Sequence, residues 1–160
     1  MGDGLEAAGG YKFDFVADGF EKDPAFAPAL EDVERIQTVD LQVTKLAVET
    51  LLESGPDLSW VYLQHTDDIG HRDGDSLSMD LAVRWVDARV SELWAAAQAR
   101  SQQFAKEDWL VIVTTDHGRT SSDGKGHGGQ SERERTIWIA SNSPHMVSPA
   151  ERSAAIVDIY

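Results

Sequence analysis

Apolar positions along this chain recur at two periods. From about Glu31 to Glu53, Val33, Ile36, Val43, Leu46 and Leu51 fall at helical spacing and predict an amphipathic helix ended by "SGPD". A longer helix is expected from about Ser76 to Phe104. There Met79, Val83, Val86, Val90, Leu93 and Ala97 alternate steps of four and three and define one buried stripe. Elsewhere the pattern is that of strands. "YKFDFVA" (11–17) alternates Tyr11, Phe13 and Phe15, "SWVYLQ" (59–64) has mixed apolar faces, and "TIWIAS" (136–141) is a further short run. "DWLVIVTT" (108–115) is almost continuously apolar, as suits a strand covered on both faces. The final "SPAERSAAIVDIY" is expected to open another element of helical character.

Strands alternating with helices predict an α/β domain, a largely parallel sheet with helices on both faces. The segments near 11–17, 59–64, 108–115 and 136–141 are expected to share that sheet. Ligands of such sheets bind beyond the carboxyl ends of the strands. Two strands here run directly into polar clusters: 59–64 into "HTDDIGHRDG" (65–74), read as a loop, and 108–115 into "DHG" (116–118). Both clusters are expected on one edge of the sheet. The Gly- and Ser-rich loop "RTSSDGKGHGGQS" then delivers His127 ten residues after His117.

Composition narrows the chemistry. A length of 160 residues is one domain's worth of chain, with ordinary apolar and charged content. The net charge of −14 argues against binding a nucleic-acid duplex, which needs clustered Lys and Arg. It leaves a phosphate substrate open, because bound divalent cations reverse the local field. With no Cys there is no thiolate metal site, so any ion is held by His and carboxylates. No apolar run approaches the ~20 residues of a membrane span. Localisation stays open.

Taken singly, each polar cluster has an ordinary explanation. Asp-His-Gly is a common turn after a strand, "GHGG" is more often a flexible loop, His65 could simply hydrogen-bond at a strand end, and His145 suits a surface loop. Three such clusters at one sheet edge are much harder to obtain by accident. His and Asp are the natural ligands for zinc or a similar divalent ion where Cys is absent.

The order of Asp67 and His71 in D-x-x-x-H, then "TTDHG", then "GHGG" followed by "ERERTIWIA", resembles the alkaline phosphatase superfamily. Its type I phosphodiesterase/nucleotide pyrophosphatase branch is the nearest in pattern, over about Glu31 to the C-terminus. The resemblance implies an alkaline-phosphatase-like fold and hydrolysis of a small-molecule phosphate ester. It also implies two divalent metals, usually zinc. Carried over by motif, Asp67, His71 and His127 would ligate one ion, and Asp116 and His117 the other. Asp68 would take the ligand position if the register were shifted by one. Asp68, Asp73 and the Gln64 amide are available to fix imidazole tautomers. Arg119, Arg133 and Arg135 are candidates for contact with substrate oxygens. Arg119 is the one retained, since the "RERE" run reads better as a solvated face.

The resemblance also implies an upstream strand carrying an Asp ligand and a Thr or Ser nucleophile. Residues 1–30 contain no strand followed by Asp-Gly and a Thr-bearing helix start. The expectation is therefore that residues 1–160 are the C-terminal part of one catalytic domain, incomplete at both ends, carrying half of a two-metal site and hydrolysing esters poorly alone. The alternatives are a catalytically inactive metal- or anion-binding module and, within enzymes, a sulfatase or phosphonate hydrolase.

Overall fold

A computed structural model of the chain describes residues 13–17, 19, 20, 23 and 32–146. The expected elements at the chain ends, including most of 11–17 taken as a paired strand and the final "SPAERSAAIVDIY", lie outside the described residues or form no regular element within them. The described elements run α1 (Asp32–Ser54), α2 (His65–Asp73), α3 (Leu77–Gln103), β1 (Ile112–Thr114), α4 (Glu132–Arg135) and β2 (Ile139–Ser141).

The first three helices pack on one another and enclose the core. The buried apolar side chains are Ile36, Val39 and Leu51 of α1, Ile69 of α2 and Ala82, Ala96 and Ala97 of α3. The buried apolar residues that α3 contributes are all alanines. The buried stripe of α3 is therefore displaced from the one the sequence suggests: Ala82 is buried while its neighbour Val83 is half exposed. Ser76 starts α3 as its N-cap, its hydroxyl accepting from the Met79 amide at 3.3 Å. At the far end Arg100 joins the last turns of α1 and α3. It donates to both Glu107 carboxylate oxygens at 2.8 Å and to the Leu52 carbonyl at 3.0 Å, and it lies over the Phe104 ring.

The sheet departs from expectation. Among the described residues it has two strands, and they are antiparallel: Ile112 pairs with Ser141, Val113 with Ala140 and Thr114 with Ile139. Asn142 prolongs the pairing through its side chain, accepting from Val111 N at 2.8 Å and donating to the Trp109 carbonyl at 2.8 Å. Residues 59–64 form no paired strand. A strand exists only by virtue of a ladder partner, and alternate apolar side chains here, Trp60 and Tyr62, remain about half exposed. Leu110 and Ile112 are exposed too, so β1 is not covered on both faces by described residues. The fold is α/β and mostly helical, and no parallel pairing is seen among the described residues.

The largest local difference is α2. "HTDDIGHRD" forms a nine-residue helix, not a loop. Its own N-cap residue, Gln64, makes no side-chain cap. Instead Asp40, fully buried on α1, accepts from Gln64 N at 3.0 Å through one oxygen and from His65 N at 2.9 Å through the other. Those amides are among the first in the helix and would otherwise be orphaned. Gly74 ends α2 at φ 63°, a conformation that costs other residues, and a Cβ there would meet the Asp123 carbonyl at 2.1 Å.

Candidate metal centre

The helical turn of α2 sets the first two side chains. Positions four apart lie one above the other on a helix face, so Asp67 and His71 converge, with Oδ2 and Nε2 3.4 Å apart. Asp68 points elsewhere and accepts the Gln64 amide at 3.2 Å. The third side chain comes from the connection between β1 and β2. His127 Nε2 lies 3.0 Å from His71 Nε2 and 3.8 Å from Asp67 Oδ1. Ligand atoms sharing a four-coordinate zinc at about 2.0–2.2 Å are separated by roughly 3.3 Å. Asp67 faces the two imidazoles through different oxygens, Oδ2 toward His71 and Oδ1 toward His127, and with one donor atom taken from each residue all three fall within 4.8 Å of one another. Two ring nitrogens facing each other at 3.0 Å also suit a pair of lone pairs aimed at one cation, or a single proton held between them.

His117 stacks on the His127 ring, centroids 3.8 Å apart and planes 17° from parallel. Its Nδ1 is 2.9 Å from the Gly118 carbonyl. An N–H there donates to that carbonyl and leaves Nε2 as the lone-pair nitrogen. Nε2 lies 3.7 Å from Asp116 Oδ1 and 4.0 Å from Asp67 Oδ1. The second pair of expected ligands is thus beside the first trio, with Asp67 between them. Asp116 is largely exposed.

The loop bearing His127 is anchored without any ion. Glu134 completes a capping box with Ser131 at the start of α4, and its Oε1 also accepts from Gly129 N at 2.9 Å. These hydrogen bonds hold the Glu134 carboxyl below its usual range, the Ser131 hydroxyl having the largest effect. Upstream, Thr120 N donates to the Gly126 carbonyl at 2.8 Å, and Asp123 Oδ1 accepts from Lys125 N at 2.9 Å. Arg133 forms a fork with Asp75 at 2.8 and 2.6 Å and reaches the Thr120 carbonyl at 2.9 Å. Gly118 N donates to the Glu134 carbonyl at 2.8 Å, which ties the Asp-His-Gly turn to α4.

Residues 10–154 match the family model for type I phosphodiesterase/nucleotide pyrophosphatase. The chain belongs to this family. It is a family of hydrolases that cleave phosphodiester and pyrophosphate bonds, generally with metals, and the matched span contains every residue of the centre. No curated protein and no solved structure matches the chain.

Of three further residues near this centre, Asp40 and Tyr62 carried no assignment from the sequence, while His65 was expected only to hydrogen-bond at a strand end. Burial pushes the Asp40 carboxyl up, against the two backbone hydrogen bonds that pull it down. His65 is buried with its Nε2 3.1 Å from the Gln37 amide and its ring edge-on to Trp85. Burial lowers its pKa, so it anchors α2 as a neutral imidazole. At Tyr62 burial, then the charges of Asp116 and Asp67, raise the phenol and keep it protonated. Its only sequence signal is its place at the end of the apolar run before the Asp67 motif. Arg119 lies against Asp67, and His145 is exposed.

Proposed function

We propose that this chain carries the metal centre of a phosphoric-ester hydrolase acting on phosphodiester or pyrophosphate bonds of a small molecule. Asp67, His71 and His127 hold one divalent ion, with zinc the best match to the donor set, and Asp116 and His117 contribute to a second. The observation that carries this reading is the convergence of those first three donors, one from each residue, to within 4.8 Å of one another. Held there, two such ions would supply electrostatic stabilisation of a phosphoryl-transfer reaction.

The chain's own groups prepare that site. The Gly118 carbonyl holds His117 in the tautomer that frees Nε2. A Thr or Ser nucleophile, implied by the alkaline phosphatase superfamily, is not assigned to a residue. The reading carries with it that superfamily's larger, mostly parallel sheet. It is supported by the way residues 59–64 and β1 both deliver their carboxyl ends to the site.

The test is zinc binding by equilibrium dialysis together with hydrolysis of bis-p-nitrophenyl phosphate, p-nitrophenyl phosphate and p-nitrophenyl sulfate. Zinc uptake lost in His127→Ala, with the diester cleaved in preference, supports the reading. Zinc uptake without hydrolysis favours a metal-binding module, and preference for the sulfate ester favours a sulfatase. Absence of uptake rejects the centre.

A further inference from the structure

Arg119 was a candidate substrate contact, yet its guanidinium faces into the protein. We propose that it is a positioning residue that sets the orientation of Asp67, an inference that rests on reading Asp67, His71 and His127 as a metal centre. Its Nη2 donates to the Asp67 backbone carbonyl at 2.9 Å and also to Asp67 Oδ1. The Arg119 side chain is only 11% exposed. A substrate-binding arginine presents its fork to open space, whereas this one spends a single nitrogen on both the backbone and the side chain of one residue. Nη1 points away toward the Gly124 carbonyl, 3.5 Å distant.

Glycine at position 70 makes this arrangement possible. A Cβ on Gly70 would lie 2.1 Å from Arg119 Cζ and 2.4 Å from both Nε and Nη2. The guanidinium therefore lies across α2 in the space a side chain would fill, one residue before His71. A carboxylate can rotate about its last torsion. Holding Oδ1 and the backbone carbonyl on one cation removes that freedom and leaves Oδ2 directed at His71 Nε2, 3.4 Å away. Arg119 also follows His117 by two residues, so the contact links the Asp-His-Gly turn to the metal-binding helix. Residues that orient metal ligands typically alter affinity by about 10–100-fold when changed.

The experiment uses cobalt(II) as a spectroscopic substitute, with affinity and band shape read from visible absorption for the wild type, Arg119→Met, Arg119→Lys and Gly70→Ala. Inorganic phosphate is then titrated into each cobalt-saturated protein. Arg119→Met is expected to weaken cobalt binding by about 10–100-fold and change the band, with phosphate affinity at saturation unaltered. Lysine lacks the planar fork and is expected not to restore the band, where a simple charge or packing role would be rescued. Gly70→Ala keeps the arginine but displaces it, and is expected to show the same loss, which covers the case of a poorly folded Arg119→Met. Unchanged cobalt affinity and band in both variants, with weakened phosphate binding, would make Arg119 a substrate contact and overturn the proposal. A wild type that binds no cobalt overturns the metal reading itself, and this inference with it.

Discussion

Asp40 and His65 stand 25 positions apart, and the carboxylate of the first accepts the backbone N–H of the second at 2.9 Å. Through this contact and its twin to Gln64, the middle of α1 fixes where α2 begins, and hence where Asp67 and His71 point. Asp40→Ala leaves one buried and one part-buried amide without this partner, at about 1–3 kcal/mol each when unsatisfied. The expected loss of stability is about 2–4 kcal/mol by chemical denaturation, and Asp40→Asn, which keeps one acceptor, is expected to lose less.

The pH dependence of that effect has a definite sign. Burial raises the Asp40 carboxyl in the folded state, so the native protein holds this proton over a range where the unfolded chain has released it. The contribution of Asp40 therefore declines as pH rises from the ordinary carboxylate value, about 4, through the folded one. The stability advantage of wild type over Asp40→Asn is expected to be larger at pH 4 than at pH 7. Equal advantage at both would show the carboxyl titrating normally.

Glu107 and Asp75 act in the opposite direction. Hydrogen bonds from Arg100 and Arg133 hold their carboxyls below the usual range. Their stabilisation is complete above the unfolded value and is lost as pH falls through the depressed folded value. The acid arm of the unfolding curve is expected to become shallower in Glu107→Gln and Asp75→Asn, as measured by thermal melts below about pH 4.5.

Gly118 sits where the Asp-His-Gly turn meets α4. A Cβ there would lie 1.9 Å from the Arg133 carbonyl and 2.8 Å from that of Thr136, both backbone atoms that cannot swing aside. Gly118→Ala is expected to destabilise by about 1–3 kcal/mol through forced backbone movement. Melting of the variant at the wild-type temperature would refute the close approach.

On the proposed reading, zinc binding would raise stability by mass action, by about 2.7 kcal/mol at a hundred times the dissociation constant. The melting temperature is expected to rise with added zinc in the wild type and to lose that rise in His71→Ala and His127→Ala. Asp68→Asn is expected to retain it, because Asp68 is turned toward Gln64.

The two long helices were legible in the sequence to within a residue or so, since each is defined by its own periodicity and, for α3, by Ser76. The stripe of α3 slipped because Val83 outranks Ala82 as a hydrophobe, whereas close helix packing selects for the smaller side chain. α2 was hidden: Ile69 is nearly its only large apolar residue, and its N-terminal partner is an aspartate on another helix. The four-residue spacing of Asp67 and His71 was its one local signal. Strand pairing was not legible, because a ladder depends on a partner that periodicity does not name. The motif residues Asp67, His71 and His127 were legible by type and spacing. The orientation of Arg119 was not, because it depends on an absent side chain at Gly70.

The loop that carries His127 is fixed by Glu134, Ser131 and Gly129 through hydrogen bonds that involve no ion. His71 is fixed just as independently by a helix capped from α1. The gap between the two imidazoles is thus set before any cation arrives. A cation entering such a gap is sorted by radius: a large one such as calcium, with oxygen ligands at about 2.3–2.6 Å, would have to strain both supports to enter. On the proposed reading, zinc or cobalt would fit with less rearrangement, and discrimination among ions would then reside partly in the stiffness of two capping networks, in addition to the chemistry of the donor atoms.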